Sequence, residues 1–199
     1  MKRRNPKQQR SKETVNRILR ALNRIIESDG YPYATTAKIA KEAKLGIATL
    51  YGYFDDKEDI LISLLNSQAD EAILMLNEGL PSWIGGDRKL ALRAFIEFAV
   101  NKVINRAALT KTVMMFTPHL IESPKAARLV GQFEMVLDLI SKKNSADSNM
   151  IPVDSFIMTN ALLGLILGLA SGLPEGVSAE DVIDRLENVA SSFQTLRAV

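Results

Sequence analysis

The residues of this chain that could do chemistry are few. The sequence contains no cysteine and a single histidine, His119, so disulfides, thiolate sites and sites built from several imidazoles are excluded. It also lacks a glycine-rich phosphate loop and a Gly-x-Ser-x-Gly turn, and its acidic residues are scattered over predicted helix surfaces. We therefore expect a protein that is not an enzyme, with no cofactor and no metal site. The absence of cysteine is also typical of a protein that stays in the reducing cytoplasm.

One short segment does group polar side chains that suit binding. Thr49, Tyr51 and Tyr53 fall within a helical pattern whose apolar positions are Leu50 and Phe54. Another short helix is predicted just before this segment, and a longer basic helix precedes both. Two short helices packed on a third form a helix-turn-helix, which places one helix in the major groove of DNA, about 12 Å wide.

The distribution of charge supports binding of a polyanion by the N-terminal part. Residues 1–54 carry 12 Lys and Arg against four acidic residues, whereas residues 55–199 carry 13 against 19. A basic end on an acidic body indicates that contact with a polyanion is confined to that end. The first ten residues predict a disordered basic arm, with its charges at Lys2, Arg3, Arg4, Lys7 and Arg10.

The elements that must position these groups are all helical. Hydrophobic residues make up 47% of the chain and charged residues 24%, which is ordinary for a folded protein. No segment alternates polar and apolar residues as a strand does. The periodicity predicts an all-α fold of nine helices, over about residues 11–29, 36–43, 47–53, 55–78, 87–106, 109–117, 123–143, 153–172 and 179–196.

The segment from 155 to 174 has two interpretations. Its 20 residues carry no charge, and that length is enough to span a bilayer. However, the acidic residues Asp154 and Glu175 flank it, and no basic anchor lies nearby. A helix buried at a subunit interface, with its small residues Gly164, Gly168 and Gly172 allowing close approach, is the favoured interpretation.

The run TTAKIAKEAKLGIATLYGYFDDKEDIL, residues 35–61, resembles the DNA-binding signature of the TetR family of bacterial transcriptional regulators. The shared parts are TT, IA, EA, TLY, YF and KE at the family's spacings, and the first helix, ending in Gly30-Tyr31, also fits. The resemblance covers about 50 residues. It implies a DNA-binding domain over residues 1–56 and a domain for ligand binding and dimerisation over residues 57–199.

The resemblance also implies which residues meet DNA. Thr36 and Lys57 match phosphate-contacting positions, and Thr49 matches a position that faces base edges. Ile47 and Ala48 replace the family's usual basic residue and glycine, and their apolar side chains suit thymine methyl groups. The full set of predicted DNA contacts is Thr35, Thr36, Lys44, Ile47, Ala48, Thr49, Tyr51, Tyr53 and Lys57.

Two positions in the turn depart from the family pattern. Lys44 stands where glycine is usual, so we expect a left-handed backbone there, at a cost of about 1 kcal/mol. Gly46 replaces the usual serine at the start of the second short helix, where it is a weaker cap.

In the family pattern a ligand pocket lies among the middle helices, and the last two helices form the dimer. Large adaptable apolar residues are concentrated there, and Met-rich linings suit varied apolar ligands. The predicted ligand residues are Trp83, Phe95, Phe98, Asn101, Met114, Met115, His119 and Phe133, although a lone histidine such as His119 is more often structural. The predicted dimer residues are Leu162, Gly164, Leu165, Gly168, Leu169, Gly172, Val182, Leu186, Val189 and Phe193.

The function expected from the resemblance is that of a homodimeric repressor. It would bind a palindromic double-stranded DNA operator and be released by a small, apolar molecule. One alternative is a DNA-binding protein of the same fold that has no small-molecule inducer and is regulated by a partner or is architectural. A less favoured alternative is a membrane-anchored regulator.

Overall fold

The computed structural model describes residues 6–142 and 152–195, and these residues form α-helices and short 3₁₀ turns without any strand. The N-terminal helices are α1 (Pro6–Ser28), α2 (Thr36–Glu42) and α3 (Ile47–Tyr51). The remaining helices are α4 (Lys57–Gly85), α5 (Arg88–Ile104), α6 (Ala107–Phe116), α7 (Pro124–Lys142), α8 (Pro152–Gly168) and α9 (Ala179–Thr195). The predicted all-α fold is confirmed.

Local capping side chains fix where several helices begin. Thr35 caps α2, and Asp56 caps α4 by accepting two backbone N–H bonds at 2.8 Å. At α9, the backbone N–H of Asp181 donates to Ser178 Oγ at 3.1 Å, and the N–H of Ser178 donates to Asp181 Oδ2 at 2.8 Å. These caps satisfy backbone donors that a helix start would otherwise leave unpaired, which confirms the predicted starts.

The basic arm was predicted to be disordered over residues 1–10, and for residues 6–10 this is wrong. Helix α1 begins at Pro6, while residues 1–5 lie outside the described residues. Proline is well suited to the first helical position because its missing N–H has no partner there. The Lys, Gln, Gln and Arg that follow are good helix formers, so the helix extends into the arm.

The fourth helix is longer than its sequence predicts. Pro81 was expected to end it near residue 78, but α4 continues through Pro81 to Gly85. A proline inside a helix costs about 3 kcal/mol or more. The burial of Trp83, whose ring meets Phe95 edge-on at 5.7 Å between centroids, offsets that cost by anchoring the last turn in the core.

The C-terminal helices differ from prediction in one detail. Helix α8 ends at Gly168 rather than near residue 172, and a 3₁₀ turn over Leu169–Ser171 follows it. Gly172 ends this turn with φ 106°, a backbone conformation that favours glycine. The predicted polar loop at residues 144–149 lies outside the described residues.

The buried side chains form two hydrophobic clusters that share α4. The N-terminal core joins α1, α2 and α3 to the first turns of α4, and it also takes in Leu109 from α6. The C-terminal core joins the later turns of α4 to α5, α7, α8 and α9. Helix α4 is therefore the element through which a movement in one core reaches the other.

Two glycines provide a matched test of packing around α4. A Cβ at Gly79 would lie 2.6 Å from the Trp83 ring, whereas a Cβ at Gly131, in the middle of α7, would meet nothing within 4 Å. We expect Gly131→Ala to stabilise the protein by up to about 1 kcal/mol through helix propensity. Gly79→Ala gains the same propensity but displaces Trp83, so we expect a net loss of about 1–2 kcal/mol. Denaturant unfolding measures both, and a stabilised Gly79→Ala variant would contradict the close packing.

Candidate nucleic-acid interface and ligand cavity

The turn between α2 and α3 adopts the strained conformation that the sequence predicts. Lys44 has φ 55°, the one positive φ at a residue other than glycine in the described part of the chain. The backbone N–H of Leu45 donates to the carbonyl of Ala40 at 2.9 Å, which closes the end of α2. The turn is thus tight enough to set α3 at a fixed angle to α2.

A long-range contact that sequence reasoning missed holds this turn. The Arg17 guanidinium, on α1, donates to the backbone carbonyls of Ala43 at 2.6 Å and Lys44 at 2.9 Å. Arg17 is 26 residues away from Ala43, so no local pattern pointed to it. Because a charged donor satisfies both carbonyls, Arg17 stabilises the strained turn and with it the position of α3.

Helix α3 presents one face to solvent and buries the other. Leu50 is completely buried, whereas Ile47 and Tyr51 are 42% and 52% exposed. Ala48 and Thr49 are exposed as well. The residues predicted to face base edges therefore lie together on an open surface of about one helical turn.

The predicted phosphate contacts lie beside this face. The hydroxyls of Thr36 and Tyr51 are 3.0 Å apart and hydrogen-bonded, which joins the start of α2 to α3. Thr35 is exposed as the cap of α2, and Tyr53 is 38% exposed just after α3. Lys44 is exposed in the turn. The Thr36–Tyr51 hydrogen bond thus places a predicted phosphate contact directly beside the exposed face of α3.

Lys57 is positioned by an aromatic ring that the sequence did not single out. Its ammonium lies 4.4 Å from the centroid of the Tyr31 ring, a cation–π distance. Burial raises the pKa of Tyr31, and the carboxylates of Glu58 and Asp56 raise it further, so the phenol stays neutral. The stack holds the Lys57 charge at the first residue of α4.

Other cations of the N-terminal part are already paired. Lys38 binds Asp29 at 2.5 Å, and Arg24 binds Glu42 at 2.7 Å. Both pairs are solvent-exposed and worth less than about 1 kcal/mol. Their partners, Asp29 and Glu42, are two of the four acidic residues of this part, so most of its basic residues have no such partner within it.

A cavity of about 290 Å³ lies in the C-terminal part, between α4, α5, α6, α7 and α8. Its walls are mostly apolar, as in sites for apolar ligands. The predicted residues Phe95, Phe98, Met114 and Phe133 line it. The Phe95 and Phe133 rings meet edge-on at 5.3 Å between centroids, which gives that wall a fixed shape.

The other predicted ligand residues lie away from the cavity lining. Trp83 packs behind the wall, against Phe95 and Phe98. Asn101 is exposed, and Met115 is 61% exposed. Sequence reasoning also missed the polar lining residues, Asn66, Gln68, Lys102, Arg106, Thr110, Ser123 and Lys125. These come from several helices, and only the fold brings them together.

Residues 116–120 run from the last residue of α6 into the 3₁₀ turn that follows it, and they lie between the cavity and the N-terminal part. Phe116 packs against Tyr31, with ring centroids 6.1 Å apart. His119 Nε2 lies 2.9 Å from the carboxylate of Glu58, next to Lys57 in α4. Leu120 both lines the cavity and packs against the N-terminal core. This short segment therefore contacts the cavity through Leu120 and the N-terminal part through Phe116 and His119.

Residues 18–64, which contain α2, α3 and the start of α4, match the family model described as bacterial regulatory proteins, tetR family. The N-terminal part of the chain is a TetR-family DNA-binding domain. Its helix-turn-helix is the DNA-binding element of this family of transcription regulators, and the resemblance seen in the sequence is confirmed.

A curated relative matches the N-terminal part. The fatty acid metabolism regulator protein of Bacillus subtilis (strain 168) is 37% identical over 75 residues, which are 38% of this chain and 39% of that protein. The aligned part thus spans about two fifths of the relative's length.

Solved structures match nearly the whole chain. The fatty acid degradation regulator FadR from Bacillus halodurans gives a TM-score of 0.70 at 18% identity, over 95% of this chain and 96% of that one. The regulator FadR from Bacillus subtilis in complex with stearoyl-CoA gives 0.69 at 18% identity, over 89% and 98%. At this identity the likeness shows the fold.

Beyond the matched domain, the predicted dimer residues separate into two groups. Leu162 and Leu186 are buried within the subunit, and Leu162 also lines the cavity. Leu165 and Val189 are 52% and 38% exposed. Gly164, Gly168 and Gly172 are exposed, while Leu169 and Val182 are half-buried. The side chain of Phe193 lies outside what the structure describes.

Two other sequence expectations concern metals and membranes. Within the described ranges, no group of three or more His, Cys, Asp or Glu residues is arranged to hold a metal ion. No helix in these ranges is both long enough and apolar enough to cross a membrane.

Proposed function

We propose that this chain is a ligand-responsive repressor that binds a palindromic operator as a homodimer and leaves it when the cavity is filled. Residues 1–56 bind DNA, and residues 57–199 bind the ligand and form the dimer. The observation that carries the proposal is the segment 116–120, in which Leu120 lines the cavity while Phe116 and His119 contact the N-terminal part. A ligand against Leu120 acts directly on the segment that contacts Tyr31 and Glu58.

The DNA part of the proposal rests on the exposed face of α3. Ile47, Ala48 and Thr49 meet base edges in the major groove, where apolar side chains favour thymine methyl groups. The Thr36–Tyr51 hydroxyl pair and Lys57 bind phosphates on either side, which sets the register of the helix on the duplex.

Two copies are needed to read a palindrome, and α8 and α9 supply the surface for pairing. Leu165 and Val189 expose large apolar area on these helices, and a partner helix would bury it. A Cβ at Gly164 or Gly168 would meet nothing within 4 Å, so the backbone there is open to close approach by another helix. A two-fold dimer then presents two copies of α3 to successive major grooves.

The ligand class comes from the cavity and from the relatives together. The walls are apolar, and aromatic residues on α5 and α7 form one side. One relative is named for fatty acid metabolism, and one similar structure holds stearoyl-CoA. We infer that the ligand contains a fatty acyl chain, which lies among Phe95, Phe98 and Phe133.

The test is reciprocal coupling between acyl ligand and operator. An operator is selected from a random DNA pool, and the affinity for dodecanoyl-CoA is measured by calorimetry with and without it. An inducer must bind the DNA-free form more tightly, so we expect affinity to fall by at least tenfold when operator is present. Equal affinities would contradict induction.

A pair of neighbouring alanines provides the control. Ala126 lines the cavity from α7, whereas Ala127 is exposed and lies outside the lining. Ala126→Phe should occlude part of the cavity and abolish binding of the acyl ligand. Ala127→Phe should leave ligand binding unchanged. Ligand binding that survives in the Ala126→Phe variant would place the ligand elsewhere.

A further inference from the structure

Three basic side chains break the apolar lining of the cavity. Lys102 and Arg106 come from α5 and the residues just after it, and Lys125 comes from α7. Their side chains are 20%, 26% and 39% exposed, so they stand where the cavity opens to solvent. A cation at the mouth of an apolar cavity is costly unless an anion meets it.

In the structure, two carboxylates of α4 pair with these three cations. Glu71, on the exposed side of α4, accepts from Arg106 at 2.9 Å and from Lys102 at 3.4 Å. Partial burial raises the pKa of Glu71, but the Arg106 hydrogen bond and the two positive charges outweigh it, so the net pKa is lowered. The adjacent Asp70 binds Lys125 at 2.5 Å in the same way.

These ion pairs also fix α4. Residues 70 and 71 tie it to α5, to the α5–α6 junction and to α7 at one level of the cavity. Fourteen residues earlier on the same helix is Lys57, about 21 Å away at 1.5 Å per residue. Loss of the pairs at Glu71 removes two of the three ion pairs that hold α4 at this level.

We propose that the ligand carries an anionic head group on its apolar chain, and that this head group displaces Glu71 from Lys102 and Arg106. This inference rests on the proposed function and adds to it the chemistry of the head group and the contact that the ligand breaks. A neutral ligand contacts α4 through the apolar lining but leaves the Glu71 ion pairs in place. A carboxylate or a phosphate replaces Glu71 at the same two cations and releases the helix.

The experiment compares three ligands that share one chain and differ in the head. Dodecanoate, dodecanoyl-CoA and dodecanol are titrated into the full-length protein by calorimetry. We expect the neutral alcohol to bind at least tenfold more weakly than an anionic ligand, because hydrogen bonds to charged groups are the stronger ones. Binding of dodecanoate shows that a carboxylate suffices, and binding of dodecanoyl-CoA alone assigns the head group to its phosphates.

Variants of the ion-paired residues show whether the ligand's head group displaces Glu71 or is only attracted to Lys102 and Arg106. Glu71→Gln removes the competing anion, so it should bind the anionic ligand about tenfold more tightly and should weaken operator binding without any ligand. Lys102→Gln and Arg106→Gln, singly and together, should weaken anionic binding about tenfold or more and leave dodecanol unchanged. Lys111→Gln on α6 and Glu78→Gln on α4, both exposed and outside the lining, are the charge-matched controls.

The outcomes distinguish this inference from the proposed function. If dodecanol binds as tightly as the anionic ligands, or if Glu71→Gln changes neither ligand nor operator affinity, the head-group inference is wrong while the acyl ligand stands. If none of the three ligands binds, the acyl assignment itself fails and the inference with it. The melting temperature of each variant is measured as well, so that a loss of ligand affinity can be told apart from a loss of folded protein.

Discussion

Replacing Gly168 by glutamate is expected to convert the protein into monomers and to remove most of its operator affinity. Gly168 is exposed at the end of α8, and a Cβ there meets nothing within 4 Å of its own subunit. The subunit should therefore fold with the new side chain, and the damage should appear where a second copy approaches. A charge placed in a desolvated helix contact is unfavourable for both partners.

The expected loss of operator affinity is large because a monomer contacts only one half-site of the palindrome, whereas a dimer contacts both. Specific binding typically exceeds non-specific binding by a factor of about 10³ or more, and a monomer should lose most of that ratio. Sedimentation gives the oligomeric state, and a mobility shift gives the affinity. Gly131→Glu on α7 is the control, because its site is equally open and lies outside α8 and α9. A dimeric Gly168→Glu variant with full affinity would show that these helices do not form the interface.

Replacing Lys57 by alanine is expected to weaken binding to every DNA sequence alike. The ammonium is held over Tyr31 at the N-terminus of α4, so its position is set before DNA arrives. Loss of one neutralised phosphate per subunit should flatten the slope of log K against log salt by about one unit, or two for a dimer. At low salt this corresponds to at least a tenfold loss of affinity.

The measurement is a salt titration with operator and with random duplex. Lys111→Ala removes the same charge from α6, away from the predicted DNA face, and should leave the slope unchanged. A Lys57→Ala variant that loses affinity for the operator alone would show that Lys57 reads bases, against the proposed phosphate role.

The parts of the fold that the sequence predicted correctly are those fixed by local interactions. The starts of α2, α4 and α9 depend on capping side chains within three residues of the helix, so their pattern is visible in the sequence. The left-handed backbone at Lys44 was expected instead from the family resemblance, because glycine is usual at that position. The end of α4 could not be predicted, because Pro81 signals a stop locally while Trp83 is held by packing against α5.

In the candidate sites too, features fixed by local sequence could be predicted, and features fixed by helix packing could not. The exposed face of α3 follows from the period of a single helix, and Leu50 marks its buried side. The ion pairs at the cavity mouth join residues 31 and 35 positions apart, and the Arg17 contact joins residues 26 apart. Such contacts depend on how the helices pack, so residue type and spacing alone did not indicate them.

The position of Trp83 gives the protein a built-in optical probe. It is the only tryptophan in the chain. Its indole meets Phe95 edge-on at 5.7 Å and Phe98 at 5.8 Å, and both rings form the cavity wall. A molecule that enters the cavity must press on or reorient those two rings, which changes the surroundings of the indole. The intrinsic emission of the unlabelled protein should therefore report cavity occupancy, and each binding event can be followed in real time.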